Sequence, residues 1–344
     1  MTRDGTRTSD ARGLEEKLAF LRRPQSYADE TTAVTVAETP AAWVFLTRRH
    51  AYKLKKPECH RALDLRDPAT RYEHCEEEVR LNRRLAADIY LGTVPLTKED
   101  DGCLAIGGRG VPVDWLIKMR RMPPERMLDR AIRAGTVKTR ELRIVASLLA
   151  GFYRSAVPVA LPPAEYRRRL ADTLTQNRRT LADPEAQLSR RMVERVTASL
   201  RKFIMGQASL FDRRVRRGCI REGHGDLHTA HVFLGPKSAV TGCAAYDRDK
   251  RVQDFVDELS ALAIDCEVLQ APGAGKLILE TCSDRLGDAP RPELIAFYKA
   301  RRAMMFASSA VKRNAKGWPD TSCSWHGPAE AYLALASRYV GQIG

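Results

Sequence analysis

The sequence contains no apolar run near 18 residues and, near its N-terminus, no apolar core of the kind that a secretory signal needs. It has no Cys-x-x-Cys pair among its 8 cysteines, and aromatic residues make up only 7% of the chain. The lack of a long apolar run argues against a membrane-spanning helix. The lack of a Cys-x-x-Cys pair argues against a zinc or disulfide framework of paired cysteines. We therefore expect a cytoplasmic protein with reduced thiols and no membrane partner.

Acidic residues are in short supply, since 43 Asp and Glu stand against 58 Lys and Arg and leave a net charge of +15. A strongly basic chain raises the question of nucleic-acid binding. However, the basic clusters are scattered, no recognised nucleic-acid motif is present, and aromatic residues are few. We therefore do not expect nucleic acid as a partner. No pattern in the sequence bears on the oligomeric state.

A short polar loop carries the most informative residue, Asp226, directly before the apolar residues 232–234. A second aspartate, Asp247, comes 21 residues later, after another apolar segment at residues 243–246. A kinase-type phosphotransfer site needs one carboxylate to orient a hydroxyl and another to hold magnesium. The two aspartates have the spacing and the local setting for these two tasks.

The turn-rich residues 235–242 separate the two apolar segments and predict a hairpin centred on Ala239. In that register His231 lies opposite Asp247, at the open end of the hairpin and beside the loop of Asp226. Opposed residues on antiparallel strands are about 4.5–5.5 Å apart at Cβ, which is close enough to share one cation. We therefore predict that the three side chains converge, with Asp247 and His231 as candidate metal ligands.

The run His-Gly-Asp-Leu-His around Asp226, followed by Tyr-Asp at Asp247, resembles the aminoglycoside phosphotransferase-like superfamily of small-molecule kinases. That superfamily has the eukaryotic protein-kinase fold. The resemblance implies that Asp226 is the catalytic aspartate and Asp247 the metal-binding one. The family usually has asparagine where this chain has His231. Because imidazole suits transition metals better than magnesium, His231 is either a metal ligand or a structural residue. We expect His228 to pack within the loop.

A kinase also needs a lysine for the nucleotide phosphates, and residues 33–56 read as three strands that can carry it. Lys53 and Lys55 point to the same face of the third strand, since side chains repeat every two residues. Ala-Tyr-Lys ending at Lys53 resembles the kinase strand that bears this lysine, so Lys53 is favoured and Lys55 is the reserve candidate. The alternative for either is an ordinary surface lysine.

The lysine should pair with a glutamate on the following helix, which we predict over residues 70–86. Glu78 lies on the apolar stripe of that helix, and a carboxylate buried there needs a partner. Glu78 is therefore the candidate partner of Lys53, and a solvated surface glutamate is the alternative. An apolar strand followed by a basic turn, residues 116–123, lies where a kinase hinge would be. The adenine should dock against backbone groups there, near Met119 and Arg121.

With 344 residues, of which 44% are hydrophobic, the chain can bury one large or two moderate cores. We expect an α+β, two-lobed, protein-kinase-like fold. Its parts would be a disordered segment at residues 1–15, a small β-rich N-lobe at 16–121 that binds the nucleotide, and a mostly helical C-lobe at 122–344. The C-lobe would hold the catalytic loop, the metal site and the acceptor site.

Two further features narrow the resemblance. Segments within residues 43–92 resemble one bacterial subgroup of the superfamily, some members of which carry an extra C-terminal P-loop domain. The residues around Gly275-Lys276 lack the first glycine and the Ser or Thr of a Walker loop, so we expect no such domain here. Residues 37–42 contain no glycine, whereas protein kinases cover the phosphates with a glycine-rich loop. This favours a small-molecule kinase.

The sequence thus predicts an ATP-dependent and Mg²⁺-dependent phosphotransferase that moves the γ-phosphate to a hydroxyl of a small molecule, either a metabolite or an antibiotic. Two alternatives stay open. One is a catalytically weak kinase-fold protein that binds nucleotide, which His231 and the glycine-free loop would suit. The other is nucleotidyl transfer by the same fold. No residue pattern identifies the acceptor or separates ATP from GTP.

Overall fold

In a computed structural model, the described residues are 4–60, 63–315 and 327–343. They fall into two compact units, Met1–Met122 and Pro123–Gly344. The division follows the basic turn that comes after the last strand of the first unit. Within the described ranges, none of the helices combines the length and the apolar character that crossing a membrane requires. The seven cysteines in those ranges are free thiols, and Cys323 lies outside them.

The first unit is a six-stranded antiparallel sheet in the order β1-β2-β3-β8-β6-β7, accompanied by two helices and a small two-stranded ribbon, β4-β5. Its helices are α1 (Asp4–Leu21) and α2 (Pro68–Ala86). Its strands are β1 (Thr35–Glu38), β2 (Ala42–Leu46), β3 (His50–Lys55), β4 (Cys59–His60), β5 (Leu63–Asp64), β6 (Tyr90–Lys98), β7 (Leu104–Ile106) and β8 (Val111–Arg120).

Alternation along β3 separates its two faces. Tyr52 and Leu54 are buried in an apolar cluster with residues of α1 and the neighbouring strands. Lys53 and Lys55 point to the other face and reach Glu78 of α2. The three predicted strands and the predicted helix are all present, with ends displaced by two residues or fewer. The period-2 and helical patterns of the sequence were strong enough to predict these elements.

Helix α1 begins at Asp4, inside the segment that the sequence predicts to be disordered. The disorder of residues 1–15 stays a prediction. Leu14, Leu18 and Leu21 are spaced at i, i+4 and i+7 and pack on the apolar cluster of the sheet. Lys17 adds an ion pair with Asp114 at 2.8 Å. These contacts fix the last turns of the helix, and propagation from a formed turn costs little, so the polar residues upstream join it.

The second unit is mostly helical. Its helices are α3 (Leu128–Arg133), α4 (Thr139–Ser155), α5 (Pro163–Leu181), α6 (Arg190–Gly206), α7 (Ala208–Arg216), α8 (Arg248–Arg251), α9 (Phe255–Val268), α10 (Pro272–Arg285), α11 (Pro292–Ala315) and α12 (Ala329–Val340). Four short strands form two antiparallel pairs, β9 (Ile220–Glu222) with β12 (Val252–Asp254) and β10 (Val232–Phe233) with β11 (Ala239–Val240).

Helix α9 forms the centre of this unit and is buried from Phe255 through Glu267. It therefore differs from the amphipathic helix that its acidic first turn suggests. The carboxylates remain buried because each has partners. Asp257 accepts from both Arg301 and Arg302, at 2.7 and 2.8 Å. A helix that is covered on every side can supply side chains to several loops at once, and α9 supplies them to the candidate site.

Candidate functional site

Two lysines share one buried glutamate in the first unit. Lys53 Nζ lies 2.6 Å from Glu78 Oε1, and Lys55 Nζ lies 2.6 Å from Glu78 Oε2. The predicted contact between Lys53 and Glu78 is therefore present, with a second cation added on the other oxygen. Burial alone would raise the pKa of Glu78, but the two ammonium groups lower it to about 2. The carboxylate is thus ionised throughout the neutral range, and the three groups together carry one net positive charge.

Exposure separates the two lysines. The side chain of Lys53 is 23% exposed, whereas that of Lys55 is 0% exposed. A lysine that contacts a nucleotide needs an accessible side chain. That of Lys53 is partly exposed, whereas that of Lys55 is enclosed. The geometry supports Lys53 for that role and suits Lys55 to hold Glu78 in place.

The proposed adenine-binding segment ends strand β8. Met119 lies within the ladder, between strands β3 and β6. The backbone N–H of Arg121 donates to the carbonyl of Arg49 at 2.9 Å. That N–H is engaged within the unit, so a nucleotide docking here would use other backbone groups of the segment. The roles of Met119 and Arg121 in nucleotide binding stay predictions.

In the second unit, the backbone just before Asp226 is held by a buried carboxylate of α9. Glu258 accepts hydrogen bonds from the backbone N–H groups of His224 and Gly225 at 3.0 and 2.5 Å. It also accepts from the Tyr153 hydroxyl at 2.6 Å and the Gln253 amide at 2.5 Å. Burial raises the pKa of Glu258, and the hydrogen bonds from Tyr153 and the two N–H groups oppose the rise. The loop therefore has a fixed backbone.

Gly225 is required at this point of the loop. Its φ is +84°, in the left-handed region, and a Cβ there would lie 2.9 Å from the side chains of Ala244 and Arg251. Any other residue would strain the backbone and collide with these neighbours. The glycine thus lets the loop approach the segment that leads to Asp247.

The carboxylate of Asp226 stays partly open, with 39% of its side chain exposed. His228 Nε2 and His231 Nδ1 each lie 3.9 Å from its Oδ2. Burial raises the pKa of Asp226 above its ordinary range, and the charges of His231, Lys250 and Arg302 oppose this rise. The group keeps contact with solvent on its exposed side.

His231 links two backbone segments. Its Nδ1 donates to the carbonyl of Asp226 at 2.9 Å. The opposite edge of the ring, including Nε2, lies against Gly242, where a Cβ would come within 2.5 Å of the ring. In this arrangement neither nitrogen is directed at a hard cation. The structural role that the sequence left open for His231 therefore fits the structure better than magnesium ligation.

The predicted hairpin register is wrong. Val232 pairs with Val240 and Phe233 with Ala239, so the turn is centred on Pro236 rather than Ala239. The expected strand at residues 243–246 is absent, and these residues form a loop and turn. The turn closes three residues earlier because residues 235–238 suffice to reverse the chain. As a result, His231 does not lie opposite Asp247.

Asp247 instead caps helix α8. Its Oδ1 accepts from the backbone N–H of Lys250 at 3.2 Å, and the Lys250 ammonium lies 3.8 Å from Oδ2. The chain leading to Asp247 is bonded to the loop of Asp226 through His224, whose carbonyl accepts from the backbone N–H of Ala244 at 3.0 Å. Side-chain Nε2 of His224 lies 2.9 Å from the carbonyl of Thr241. The two loops are therefore neighbours, and a backbone hydrogen bond rather than a hairpin ladder holds them together. The metal-binding role of Asp247 stays a prediction.

Sequence reasoning missed Glu258 and Asp265, the two residues of α9 that hold the loop. Asp265 Oδ2 accepts from the backbone N–H and the hydroxyl of Thr229, at 2.8 and 2.5 Å. The available signal was chemical: both are carboxylates inside an apolar stretch, and a buried carboxylate must have donors. Which donors they have depends on contacts more than 30 residues away along the chain.

The buried Asp265 predicts how stability depends on pH. Burial raises its pKa to about 7, whereas an unfolded aspartate titrates near about 3.9. Between these values only the folded state holds the proton, so stability falls as pH rises from about 4 to about 7 and stays low above that. The whole loss is about 4 kcal/mol, of which about 2.6 kcal/mol falls between pH 5 and pH 8. We expect Asp265→Asn, which keeps an acceptor for Thr229, to remove that part. Urea unfolding at pH 5 and pH 8 measures it.

Asp249→Asn is the matched control, since that aspartate is 81% exposed. The control should keep the pH dependence of the wild-type chain. If Asp265→Asn lost as much stability between pH 5 and pH 8 as the wild type, Asp265 would not be the titrating group.

Comparison with known proteins gives one group of relatives by sequence. No family model matches the chain. The uncharacterized protein Rv2004c of Mycobacterium tuberculosis is 29% identical over 313 residues, which cover 89% of this chain and 60% of the relative. The chain therefore spans about three fifths of the length of that relative, whose own function its name leaves open.

Solved structures identify the fold. The GDP and kanamycin complex of APH(2")-IIia superimposes with a TM-score of 0.52 at 12% identity, covering 95% of this chain and 98% of that one. The GDP complex of wild-type aminoglycoside 2'-phosphotransferase-IIIa gives 0.50 at 13% identity, covering 95% and 99%. Choline kinase from Cryptosporidium parvum gives 0.51 at 8% identity, covering 96% and 94%.

These likenesses confirm the predicted fold class. The chain has an α+β fold like that of these phosphotransferase and kinase structures, with an antiparallel sheet in the first unit and mainly helices in the second. At such low identity the structures establish the fold alone. The chemistry has to be argued from the residues of this chain.

Proposed function

We propose that the chain is a phosphotransferase that moves the γ-phosphate of ATP to a hydroxyl of a small molecule. The observation that carries the proposal is the ion pair between Lys53 and Glu78, at 2.6 Å on the kinase-like fold. In protein kinases the corresponding pair must be formed before the phosphates are correctly held. Burying a glutamate is costly unless it is paired, and the two lysines supply that pairing for Glu78. Because the Lys53 side chain stays partly exposed, it can also contact a ligand.

The second unit supplies the residue for the acceptor. Asp226 combines a partly exposed carboxylate with a backbone fixed by Glu258. A group in this setting can orient a hydroxyl and take its proton late in the transfer, when the oxygen–phosphorus bond has largely formed. Phosphoryl transfer depends mainly on positioning and on charge stabilisation, and a fixed loop serves both.

Magnesium would be held by Asp247. Carboxylate oxygens are the ligands that Mg²⁺ prefers, and 36% of the Asp247 side chain is exposed. The cation would neutralise phosphate charge. His231 fits this task poorly, since Nδ1 donates to a carbonyl and the other edge of its ring is covered by Gly242. We therefore assign one magnesium-binding carboxylate and leave His231 as a residue that positions the loop.

The structural neighbours support a nucleotide and a small hydroxylated acceptor. Two of them are GDP complexes, one of these also holds kanamycin, and the third is a choline kinase. The net charge of +15 makes a neutral or anionic acceptor at least as suitable as a polycationic one. The acceptor class therefore extends beyond aminoglycosides.

A thermal-shift titration with ATP and GTP, each with and without magnesium, tests the nucleotide site. A ligand at 100 times its dissociation constant adds about 2.7 kcal/mol of stability, which is readily seen. We expect magnesium-dependent stabilisation of the wild-type chain and its loss in Asp247→Ala. Asp249→Ala, two residues further along the same short helix, is the matched control and should respond like the wild type.

Absence of any nucleotide-dependent shift in the wild-type chain would overturn the proposal. Stabilisation without turnover over a broad acceptor panel would instead indicate a kinase-fold protein that only binds nucleotide. Mass spectrometry of a reacted acceptor distinguishes a phosphoryl adduct from a nucleotidyl adduct, and the second would contradict the proposed transfer.

A further inference from the structure

Three potential metal ligands meet at the catalytic loop. Asp226, His228 and His231 each offer one ligand atom, and the three atoms lie within 4.8 Å of one another. Over residues 4–60, 63–315 and 327–343 this is the single group of three or more His, Cys, Asp or Glu ligands that meets such a limit. We propose that these residues bind one transition-metal cation of the Zn²⁺ type, and that this cation switches the catalytic aspartate off.

The local fold brings the two histidines together. Residues Thr229–His231 form one turn of 3₁₀ helix, in which positions three apart lie on the same side. His231 N–H donates to the carbonyl of His228 at 3.1 Å, which closes this turn. The two imidazole rings therefore lie over each other, with centroids 3.7 Å apart and planes tilted by 38°. The anchoring of Thr229 by Asp265 keeps the turn in place.

Two of the three ligand distances come close to those around a small tetrahedral cation. His228 Nε2 and His231 Nδ1 each lie 3.9 Å from Asp226 Oδ2. Zinc–nitrogen and zinc–oxygen bonds of about 2.0–2.2 Å put tetrahedral ligands about 3.4 Å apart, so closure by about 0.5 Å is enough. Small rotations of the partly exposed Asp226 carboxylate can supply that movement. The two stacked imidazole rings must also open, so that a nitrogen of each points at the same cation. Three protein ligands leave a fourth position for water, as in open zinc sites.

The ligand chemistry selects against magnesium. Two imidazoles and one carboxylate match zinc and cobalt, whereas magnesium prefers oxygen ligands and gives up its water reluctantly. To bind a cation, His231 Nδ1 must also give up its hydrogen bond to the Asp226 carbonyl. A strong metal–imidazole bond offsets that loss, and magnesium offers none. The site therefore discriminates between a transition metal and the magnesium that accompanies ATP.

Occupancy would inhibit the enzyme. The cation would bind Asp226 Oδ2, an oxygen of the carboxylate that has to orient the acceptor hydroxyl. It would also neutralise the charge that accepts the proton. This half of the inference rests on the proposed function, whereas the metal site itself does not. The usual asparagine at the position of His231 would lack the imidazole, so the site would be a property of this chain's own sequence.

Metal binding can be measured without any enzymatic activity. The full chain is used with Cys59, Cys103 and Cys323 replaced by serine. The first two are the exposed cysteines of the described residues, and the third lies outside them. Co²⁺ is titrated while the visible absorption is recorded, and Zn²⁺ is titrated by calorimetry, both without nucleotide. We expect one equivalent to bind, with the absorption of tetrahedral cobalt.

Two variants and one control locate the site. His231→Asn and His228→Gln should each weaken Zn²⁺ binding by at least about 100-fold, since even loss of an outer-shell partner costs about 10–100-fold. His74→Asn removes a histidine of α2 in the other unit and should bind like the parent. Thermal unfolding checks that each variant is folded. If His228→Gln does not fold, the test of the metal site depends on His231→Asn. Equal binding by His231→Asn and the parent, or no binding by the parent, would overturn the site.

Inhibition is scored against the zinc-free rate of each protein, at constant magnesium and ATP. Zinc should remove most of the activity of the parent and of His74→Asn, and little of whatever rate His231→Asn retains. Binding without inhibition would overturn the switch and leave the metal site standing. If no protein transferred phosphate at all, the proposed function would fail, while the cobalt and zinc titrations would still decide the site.

Discussion

Asp226→Asn is expected to lower kcat by about a thousandfold, because a positioned general base contributes about 10²–10⁴-fold. Asparagine can still contact the acceptor hydroxyl, but it cannot take its proton. The affinity for ATP should stay close to that of the wild type, since Asp226 is assigned to the acceptor and not to the nucleotide. Steady-state kinetics with a responsive acceptor and a thermal-shift titration with ATP measure the two quantities separately.

Asp249→Asn serves as the control for this experiment as well, since it removes an exposed aspartate near Asp247 without touching the loop. If Asp226→Asn abolished ATP binding and left turnover per bound nucleotide intact, the roles assigned to Asp226 and Asp247 would have to be exchanged.

Lys53→Met and Lys55→Met are expected to fail in different ways. Loss of Lys53 leaves Glu78 paired with Lys55, so the free energy of unfolding should fall by only about 1 kcal/mol, while ATP affinity falls by at least about tenfold because the exposed ammonium is gone. Loss of Lys55 removes a fully buried partner, and breaking such a pair costs about 3–5 kcal/mol. Lys53 remains on Glu78, so we expect about 3 kcal/mol.

Urea unfolding measures the free energy of unfolding of both variants, and ATP titration measures their ATP affinity. Together they show which lysine stabilises the fold and which one contacts the nucleotide. Glu78→Gln extends the comparison, since this variant removes the carboxylate that both lysines contact and should be the least stable of the three. If Lys55→Met lost ATP affinity while Lys53→Met kept it, the reserve candidate would be the phosphate-binding lysine.

Much of the first unit was predictable because its signals are local. Three strands and a helix were expected between residues 33 and 86, and they are present. The alternation of the strand placed Lys53 and Lys55 on one face, and the apolar stripe of the helix selected Glu78. The resemblance to kinases implied that Lys53 and Glu78 would pair. The strand alternation and the helical stripe depend only on neighbours in the sequence, so long-range packing does not change which residues share a face.

In the second unit, the hairpin of β10 and β11 was less predictable, because its register decides which residues lie opposite each other. The turn after Phe233 closes at residues 235–238, and the segment before Asp247 becomes a loop. A turn-rich stretch of eight residues allows several registers of similar local energy, and each register changes which residues are opposite. The packing of β10 and β11 on the rest of the unit selects one of them.

The sequence by itself determined the polar loop of Asp226 and the face of β3 that carries both lysines, because these follow from turn chemistry and side-chain period. Its resemblance to a known superfamily implied the class of fold. Only the tertiary structure decided that Lys55 is enclosed while Lys53 reaches solvent. It also decided that Glu258 holds the loop and that two histidines stack beside Asp226. Burial and hydrogen bonding between distant segments depend on how the helices pack around α9, and no local pattern encodes that packing.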